Sequence, residues 1–358
     1  MTCLHKYWLK EFVKLFLIIQ LLILVLFIFI DYLSRMDRFL KSDISLLEAL
    51  WYVLLKVPFM FVQLTPASIL LSVIVVFGVM NRNNELTALK SSGISVYFLV
   101  KPALLAGFLL AGLMFFLGET LIPVSMAKAN YIRYNKMQTE NRMSLGRKDI
   151  WIKSKKELIH INFFDPVKQT IAGITATTMG EAFKIIARID AQRGTYEDGK
   201  WVLEEVIEQS YKAHENDYEV NVIPVKIIDL DLKPGDLGAI AKKSEEMSYF
   251  ELKDYVQKVE AEGYDPTTYQ VDMNGKIAFP FICIIMALTG AATGMRSFVK
   301  TNMPAAIAIG VVISFLYWIM YGFCLSMGYA TVLPPVVAAW AANLFFLCLG
   351  TIYLINTE

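Results

Sequence analysis

Apolar residues along this chain gather into uncharged runs about as long as a bilayer is thick. Leu15 to Ile30, Val57 to Met80, Pro102 to Gly118 and Ile277 to Met295 each contain no Asp, Glu, Lys, Arg or His. A helix rises about 1.5 Å per residue and needs about 20 mostly apolar residues to cross about 30 Å of hydrocarbon, so each run predicts one crossing. A fifth run, Thr301 to Thr357, is equally free of charge but far too long for one crossing, and it breaks at Gly328 to Pro335. It therefore spans twice. The predicted class is a membrane α-helical protein with six transmembrane helices. The first run follows Lys6, Lys10 and Lys14 as a signal peptide would, but Asp31-Tyr32 stands where small cleavage-site residues belong, so a retained helix is expected.

Between the third and fourth runs the pattern changes from continuous to alternating. Asp149 to Lys153, Leu158 to Ile161, Phe183 to Arg188, Trp201 to Ile207 and Tyr218 to Ile228 are short, β-branched segments that predict five to eight strands. A sandwich, jelly roll or open barrel is the expected form of this all-β insertion. Ser248 to Glu262 then returns to a 3.6-residue period, with Phe250, Leu252, Tyr255, Val256 and Val259 apolar and Gly263 placed to end the helix. The expected organisation is 1–124 for the first three spans, 125–247 for a connector and the β domain (strands about 149–232), 248–276 for an amphipathic helix and linker, and 277–358 for the last three spans.

Composition agrees: the 358 residues are 56% hydrophobic and 19% charged, more apolar than a soluble core requires. A formal net charge of +1 offers no basic field for nucleic acid. With the N-terminus inside, Lys6, Lys10, Lys14, Arg82, Lys90, Lys101, Arg296 and Lys300 face the cytoplasm against Arg35, Arg38 and Lys41 outside. This bias predicts both termini in the cytoplasm and the β domain on the far side. Cys3, Cys283, Cys324 and Cys348 lie at the N-terminus or inside apolar runs, where free thiols are expected.

Candidate chemistry is sparse. Gly194 to Lys200 matches a phosphate-loop skeleton, but Trp201 follows in place of Ser or Thr, and Asp198-Gly199 between strand-like runs reads as a hairpin turn. His5, His160 and His214 are scattered, His160 alternating with Ile159 and Ile161 as on the polar face of a strand. No metal set or catalytic constellation is visible, so the chain is read as a transport subunit and not an enzyme.

Two segments remain as candidates. Between the second and third spans, Asn83 or Asn84 can cap a short inside helix at about 84–92 that starts with Glu85, carries Leu86 and Leu89, and ends at Gly93. Such a helix is what a transporter offers a soluble motor. At the outer end of the first span, Arg35 and Arg38 suit phosphate groups, with Lys41 beside them; Lys56 lies just inside the second run, where charge is costly without a partner.

The residues Asn84-Glu-Leu-Thr-Ala-Leu-Lys-Ser-Ser-Gly-Ile-Ser95, Gly118-Glu-Thr-Leu-Ile-Pro123, Gly199-Lys-Trp-Val-Leu203 and Tyr255…Gly263-Tyr-Asp…Tyr269…Lys276…Pro280 carry a resemblance. In this order along the spans, the chain resembles the LptF/LptG family of lipopolysaccharide export permeases, most nearly its LptG branch. The resemblance implies an ABC transporter permease in a bacterial inner membrane, paired with an LptF-like permease and an LptB-like ATPase dimer. It also implies a periplasmic jelly roll that passes lipopolysaccharide to an LptC/LptA-like bridge, with Ile150 and Ile152 on the acyl-chain path. Carried over by residue, Glu85 would engage the ATPase with Arg82, Leu86 and Leu89 around it, and Arg35 matches the basic outer end of the first span that meets substrate phosphates; Arg38, Lys41 and Lys56 are phosphate candidates by their own charge and position and do not superpose on the family's other basic residues. The chain departs from the family in a longer Arg38 to Glu48 loop and in Lys56 preceding the Val57-Pro58 pair. No cofactor or metal is expected in the chain itself, since ATP and Mg would sit in the partner ATPase. The alternatives are an ABC permease for another envelope lipid or lipoprotein, or a non-transporting envelope scaffold.

Overall fold

The computed structural model describes residues 3–41, 45–93, 95, 97–136, 147–153, 157–165, 170–180, 185–197, 200–212, 217–228, 243–261, 263 and 265–356. The chain divides into two units, one of Met1–Phe39, Ser45–Asn130 and Ser244–Glu358, the other of Leu40–Ile44 and Tyr131–Lys243.

The first unit is helical. In chain order it contains α1 (Cys3–Ser34), most of α2 (Met36–Lys41), α3 (Leu46–Arg82), α4 (Glu85–Ser91) and most of α5 (Tyr97–Lys136). After the second unit come a 3₁₀ turn (Ser244–Glu246), α6 (Tyr249–Ala261), α7 (Thr267–Gly294), α8 (Ser297–Thr301), α9 (Met303–Tyr329) and α10 (Pro335–Ile355). Six of these, α1, α3, α5, α7, α9 and α10, are long and apolar enough to cross a membrane. The long C-terminal run does divide into two, α9 and α10 meeting at residues 330–334.

Helices outlast the uncharged runs that predict them. α5 continues past Gly118 and through Pro123 to Lys136 because Ile122, Ser125, Met126 and Ala129 recur at helical spacing and are all buried. α3 begins at Leu46, where the Ser45 hydroxyl accepts from the Glu48 amide at 3.3 Å.

α7 is the centre of the bundle, with 78% of its most apolar window buried. It packs closely on α3 because a Cβ on Gly294 would meet the Ile74 carbonyl at 3.0 Å and the Phe77 Cβ at 2.8 Å. Small residues at a membrane-helix interface allow this backbone approach, and dispersion then supplies the attraction that lipid does not. A polar tie adds direction: the Asn343 amide on α10 donates to the Ala278 carbonyl of α7 at 2.6 Å and accepts from the Tyr317 hydroxyl of α9 at 2.9 Å. Cys283, Cys324 and Cys348 are free thiols.

The second unit is a six-stranded antiparallel sheet, β1 (Arg147–Lys153), β2 (Glu157–Asp165), β3 (Thr170–Met179), β4 (Ile185–Glu197), β5 (Lys200–Lys212) and β6 (Asp217–Ile228), in the order β1-β2-β3-β4-β5-β6. Among the described residues every strand pairs with its sequence neighbour, a meander, and the long crossing connections of a jelly roll do not occur. One face holds Ile159, Ile161, Phe164, Ile171, Ile174, Trp201, Leu203 and Val206 in a common core. His160, between two buried isoleucines, falls on the other face. Gly194 to Glu197 lie in β4 and Lys200 opens β5 opposite Glu197, so the phosphate-loop lookalike is a strand pair with no helix after it. Across β3 and β4, Asp190 accepts from Arg188 at 2.8 Å and from the Thr175 hydroxyl at 2.6 Å. Partial burial works against its charge, but the bonds from Arg188 and Thr175 prevail and hold the carboxyl below its ordinary range.

Candidate functional site

Two regions of the helical unit carry the charged residues singled out from sequence, at opposite ends of α3.

At one end, α3 runs through Arg82 and turns at Asn83 and Asn84 into α4, which is seven residues long. Asn84 does occupy the N-cap, but in the left-handed region at φ 61° and with no side-chain cap bond. Its side chain instead accepts from Lys300 of α8 at 2.6 Å. The helix stops at Gly93, whose φ of 74° is a conformation that favours glycine. Around this turn Leu86 is buried at 4% exposure in the bundle core and Leu89 is half-buried against it. Arg82 is exposed and Glu85 is half-exposed. Leu86 therefore anchors α4 to the bundle, while Arg82 and Glu85 lie on its open side. Asn83 donates to the Glu85 carboxylate at 3.3 Å and the Tyr7 hydroxyl approaches it at 3.5 Å.

The hinge between α7 and α9 meets this turn from the other side. The Asn81 amide donates to the Arg296 carbonyl at 2.9 Å, and the Arg296 guanidinium lies 3.6 Å over the Tyr353 ring. His5 stacks on Phe98 with ring centroids 4.3 Å apart and bonds its carbonyl, attaching the start of α1 to the start of α5. In the sequence Arg296 and Lys300 counted only toward the charge bias and His5 only as a scattered histidine, and none of these partners was a site candidate. Their one signal was a surplus of polar residues at the three turns that topology brings to the same end.

At the other end of α3, Lys56 and Arg35 converge on one carboxylate. Lys56 reaches both oxygens of Asp31 at 2.7 and 2.8 Å, and Arg35 Nε donates to Asp31 at 3.1 Å. All three side chains are 12–22% exposed. Both cations also sit over the Tyr52 ring, at 5.6 Å for Arg35 and 5.7 Å for Lys56. Tyr52 and Phe39 are both buried, and Phe39 stands between Tyr32 and Tyr52, so an aromatic trio supports the charges from below. Asp31 was in the sequence segment but had no assigned role. The clue was its depth, one aspartate near the end of one apolar run and one lysine at the start of the next.

The side chains of Arg38, Lys41, Ile150 and Ile152 lie outside the described ones; β1 pairs Ile150 with Ile161 and Ile152 with Ile159. Beyond the sheet, α6 buries Leu252, Val256 and Val259 as its periodicity predicts, whereas Phe250 is 63% exposed. It ends at Gly263, φ 80°. The Tyr249 amide donates to Glu119 at 2.6 Å, and the Tyr329 hydroxyl to Asp272 at 2.5 Å. No group of His, Cys, Asp and Glu able to hold a metal occurs among the described residues.

A family described as lipopolysaccharide export system permease LptF/LptG matches residues 6–356. Two relatives are the lipopolysaccharide export system permease proteins LptG of Escherichia coli strain K12 and of Escherichia coli O6:H1 strain CFT073. Each is 20% identical over 314 residues, 87% of this chain and 86% of the relative. Since the match runs unbroken from the first span through the sheet to the last, the chain belongs to the lipopolysaccharide export permease family LptF/LptG.

Proposed function

We propose that this chain is the permease half of an ABC transporter that lifts lipopolysaccharide out of the inner membrane. It pairs with an LptF-like permease, is driven by an LptB-like ATPase dimer, and delivers its cargo to an LptC/LptA-like bridge. In this reading both termini and α4 are cytoplasmic and the sheet is periplasmic, as the distribution of Lys and Arg favours. Residues 1–124 and 277–358 form the membrane part, 125–247 the connector and periplasmic β domain, and 248–276 the link back. The sheet serves as the surface that a jelly roll would offer the cargo, with Ile150 and Ile152 on the acyl-chain path.

The observation that carries this reading is the unequal burial of the spans. Only 11% of the most apolar window of α1 and 22% of that of α9, the fifth span, is buried, against 78% for α7. Leu21, Leu22, Val25 and Phe29 on α1 and Phe315, Ile319 and Phe323 on α9 are 57–67% exposed. Two spans left open on this scale suit a cavity wall completed by a second permease and by acyl chains. The basic end of α1 and α3, with Arg35, Arg38, Lys41 and Lys56, would then form its rim for phosphates. On the cytoplasmic side Glu85 and Arg82 would meet the ATPase, with Leu86 and Leu89 holding α4 to the bundle. ATP and Mg belong to that partner, and this chain hydrolyses nothing.

Photocrosslinking tests the cargo. A crosslinker at Ile150 or Ile152 in the assembled transporter should capture labelled lipopolysaccharide when ATP is supplied. Capture of a lipoprotein or another envelope lipid in its place would favour that alternative. Depletion of the chain should leave lipopolysaccharide in the inner membrane, which a scaffold without transport would not predict.

A further inference from the structure

Arg296, between α7 and α8, carries a guanidinium without an acceptor. Its backbone is committed, the amide donating to the Thr293 carbonyl at 3.3 Å and the carbonyl accepting from Asn81 at 2.9 Å. Its side chain is not: among the described residues it makes no hydrogen bond or ion pair, and its Nε is closed off from solvent as well. Buried N–H groups are almost always bonded, so an orphan on a charged side chain calls for an acceptor. What holds the side chain is Tyr353, over whose ring the guanidinium lies at 3.6 Å. Stacking of this kind uses the face of the guanidinium and leaves its edge to bond an anion.

The surface beside Tyr353 selects the kind of anion. Tyr353 lies in the last turn of α10, and Leu349 and Phe345 precede it at intervals of four, which places the three side chains in line on one face of the helix. Leu349 is 40% and Phe345 50% exposed, and Ile352 beside them is 60% exposed. This apolar strip leads from the guanidinium about 12 Å along a helix that is long and apolar enough to cross a membrane. An acidic side chain from a soluble protein would satisfy Arg296 and leave the strip bare. A phospholipid covers both, its phosphate at the guanidinium edge and one acyl chain along Leu349 and Phe345.

We propose that Arg296 and Tyr353 form a binding site for an anionic phospholipid of the surrounding membrane, in the leaflet at the α4 end of the bundle. The site lies at the other end of α3 from the Asp31 cluster and does not depend on what the transporter carries. It has a mechanical consequence. Asn81 ties the Arg296 carbonyl to α3, and Lys300 of α8 donates to Asn84 at 2.6 Å, so the segment that holds the lipid also supports the turn from which α4 starts. A lipid bound here braces that turn.

The test places the full-length chain in nanodiscs of mixed phosphatidylcholine and phosphatidylglycerol and counts the lipids it retains by native mass spectrometry. The wild-type chain should favour phosphatidylglycerol roughly fivefold, the scale of one cation near a membrane surface, and Arg296→Gln should bring the ratio close to one. Arg296→Lys keeps the charge without the planar fork and should fall between the two. Tyr353→Leu also keeps the charge while removing the ring, should lower the ratio to about twofold, and carries the comparison should Arg296→Gln fail to fold. Excess inorganic phosphate should leave the phosphatidylglycerol bound. Equal retention of the two lipids by the wild-type chain, or a ratio unchanged in both Arg296→Gln and Tyr353→Leu, overturns the site. Displacement by inorganic phosphate would make the free anion the ligand and overturn the lipid assignment. Weaker co-purification of Arg296→Gln with the ATPase, at unchanged lipid retention, would give Arg296 to an acidic protein partner and overturn it equally.

Discussion

The Tyr317 hydroxyl donates to the Asn343 side-chain oxygen at 2.9 Å, between two helices that are otherwise almost wholly apolar. Asn343 passes the connection on to the Ala278 carbonyl, so one buried amide sets the relative rotation of α7, α9 and α10. Tyr317→Phe should cost about 0.5–1.5 kcal/mol, the usual scale of a hydrogen bond between membrane helices. Asn343→Ala should cost more, because it removes both bonds and leaves a gap. Thermal unfolding in detergent, followed by tryptophan fluorescence, measures both.

Gly294 and Gly112 should respond oppositely to the same change. Alanine at Gly294 meets the Ile74 carbonyl and the Phe77 Cβ, neither of which can rotate away, so α7 must move off α3 at a cost of about 1–3 kcal/mol. Alanine at Gly112 meets nothing within 4 Å and should be neutral or stabilising by up to about 1 kcal/mol through helix propensity. The two unfolding temperatures should move in opposite directions.

Glu85 should govern assembly without governing the fold. It is half-exposed and Asn83 is its near neighbour, so Glu85→Ala or Glu85→Lys should leave the unfolding temperature within a few degrees of wild type. Either change should weaken co-purification with the ATPase, and Glu85→Lys more strongly because it reverses the charge. Unchanged assembly would remove the proposed role of α4.

Acid should loosen the sheet through Asp190. Its carboxyl is held below the ordinary value of 3.8, so the stabilisation is present above the unfolded-state value and is lost as pH falls through the lower folded-state one. Amide exchange in β3 and β4, corrected for the intrinsic rate, should quicken in the wild type as pH falls through and below the ordinary carboxylate range. Asp190→Asn should remove that step.

ATP hydrolysis should be absent from the purified chain. Residues 194–200, the one stretch with a phosphate-loop skeleton, lead from one strand into the next, and no helix N-terminus follows to receive a phosphate. Robust turnover without a partner subunit would overturn the transport-subunit reading.

Spans were legible in the sequence because burying a bare charge in hydrocarbon costs several kcal/mol, so uncharged runs report the bilayer directly. Most strands, the Leu252, Val256 and Val259 stripe of α6 and the stop at Gly263 were legible because alternation, the 3.6-residue period and a positive φ are local properties, whereas β3 was not among the named segments and Phe250 of the expected stripe is exposed. The length of α5 was not, since its continuation past Gly118 depends on Ile122, Met126 and Ala129 finding buried neighbours. Nor was the form of the sheet, because strand order depends on which edges pair and not on any one strand. The residues of the two candidate sites could be named from sequence, yet their state could not. Whether Lys56 is bare or paired depends on Asp31, 25 residues away and on another helix. Whether Leu86 faces a partner or the core depends on how α4 lies against the bundle. Local chemistry sets which segments enter the membrane; only packing between distant segments decides which charges are already satisfied, and so which are left for a ligand.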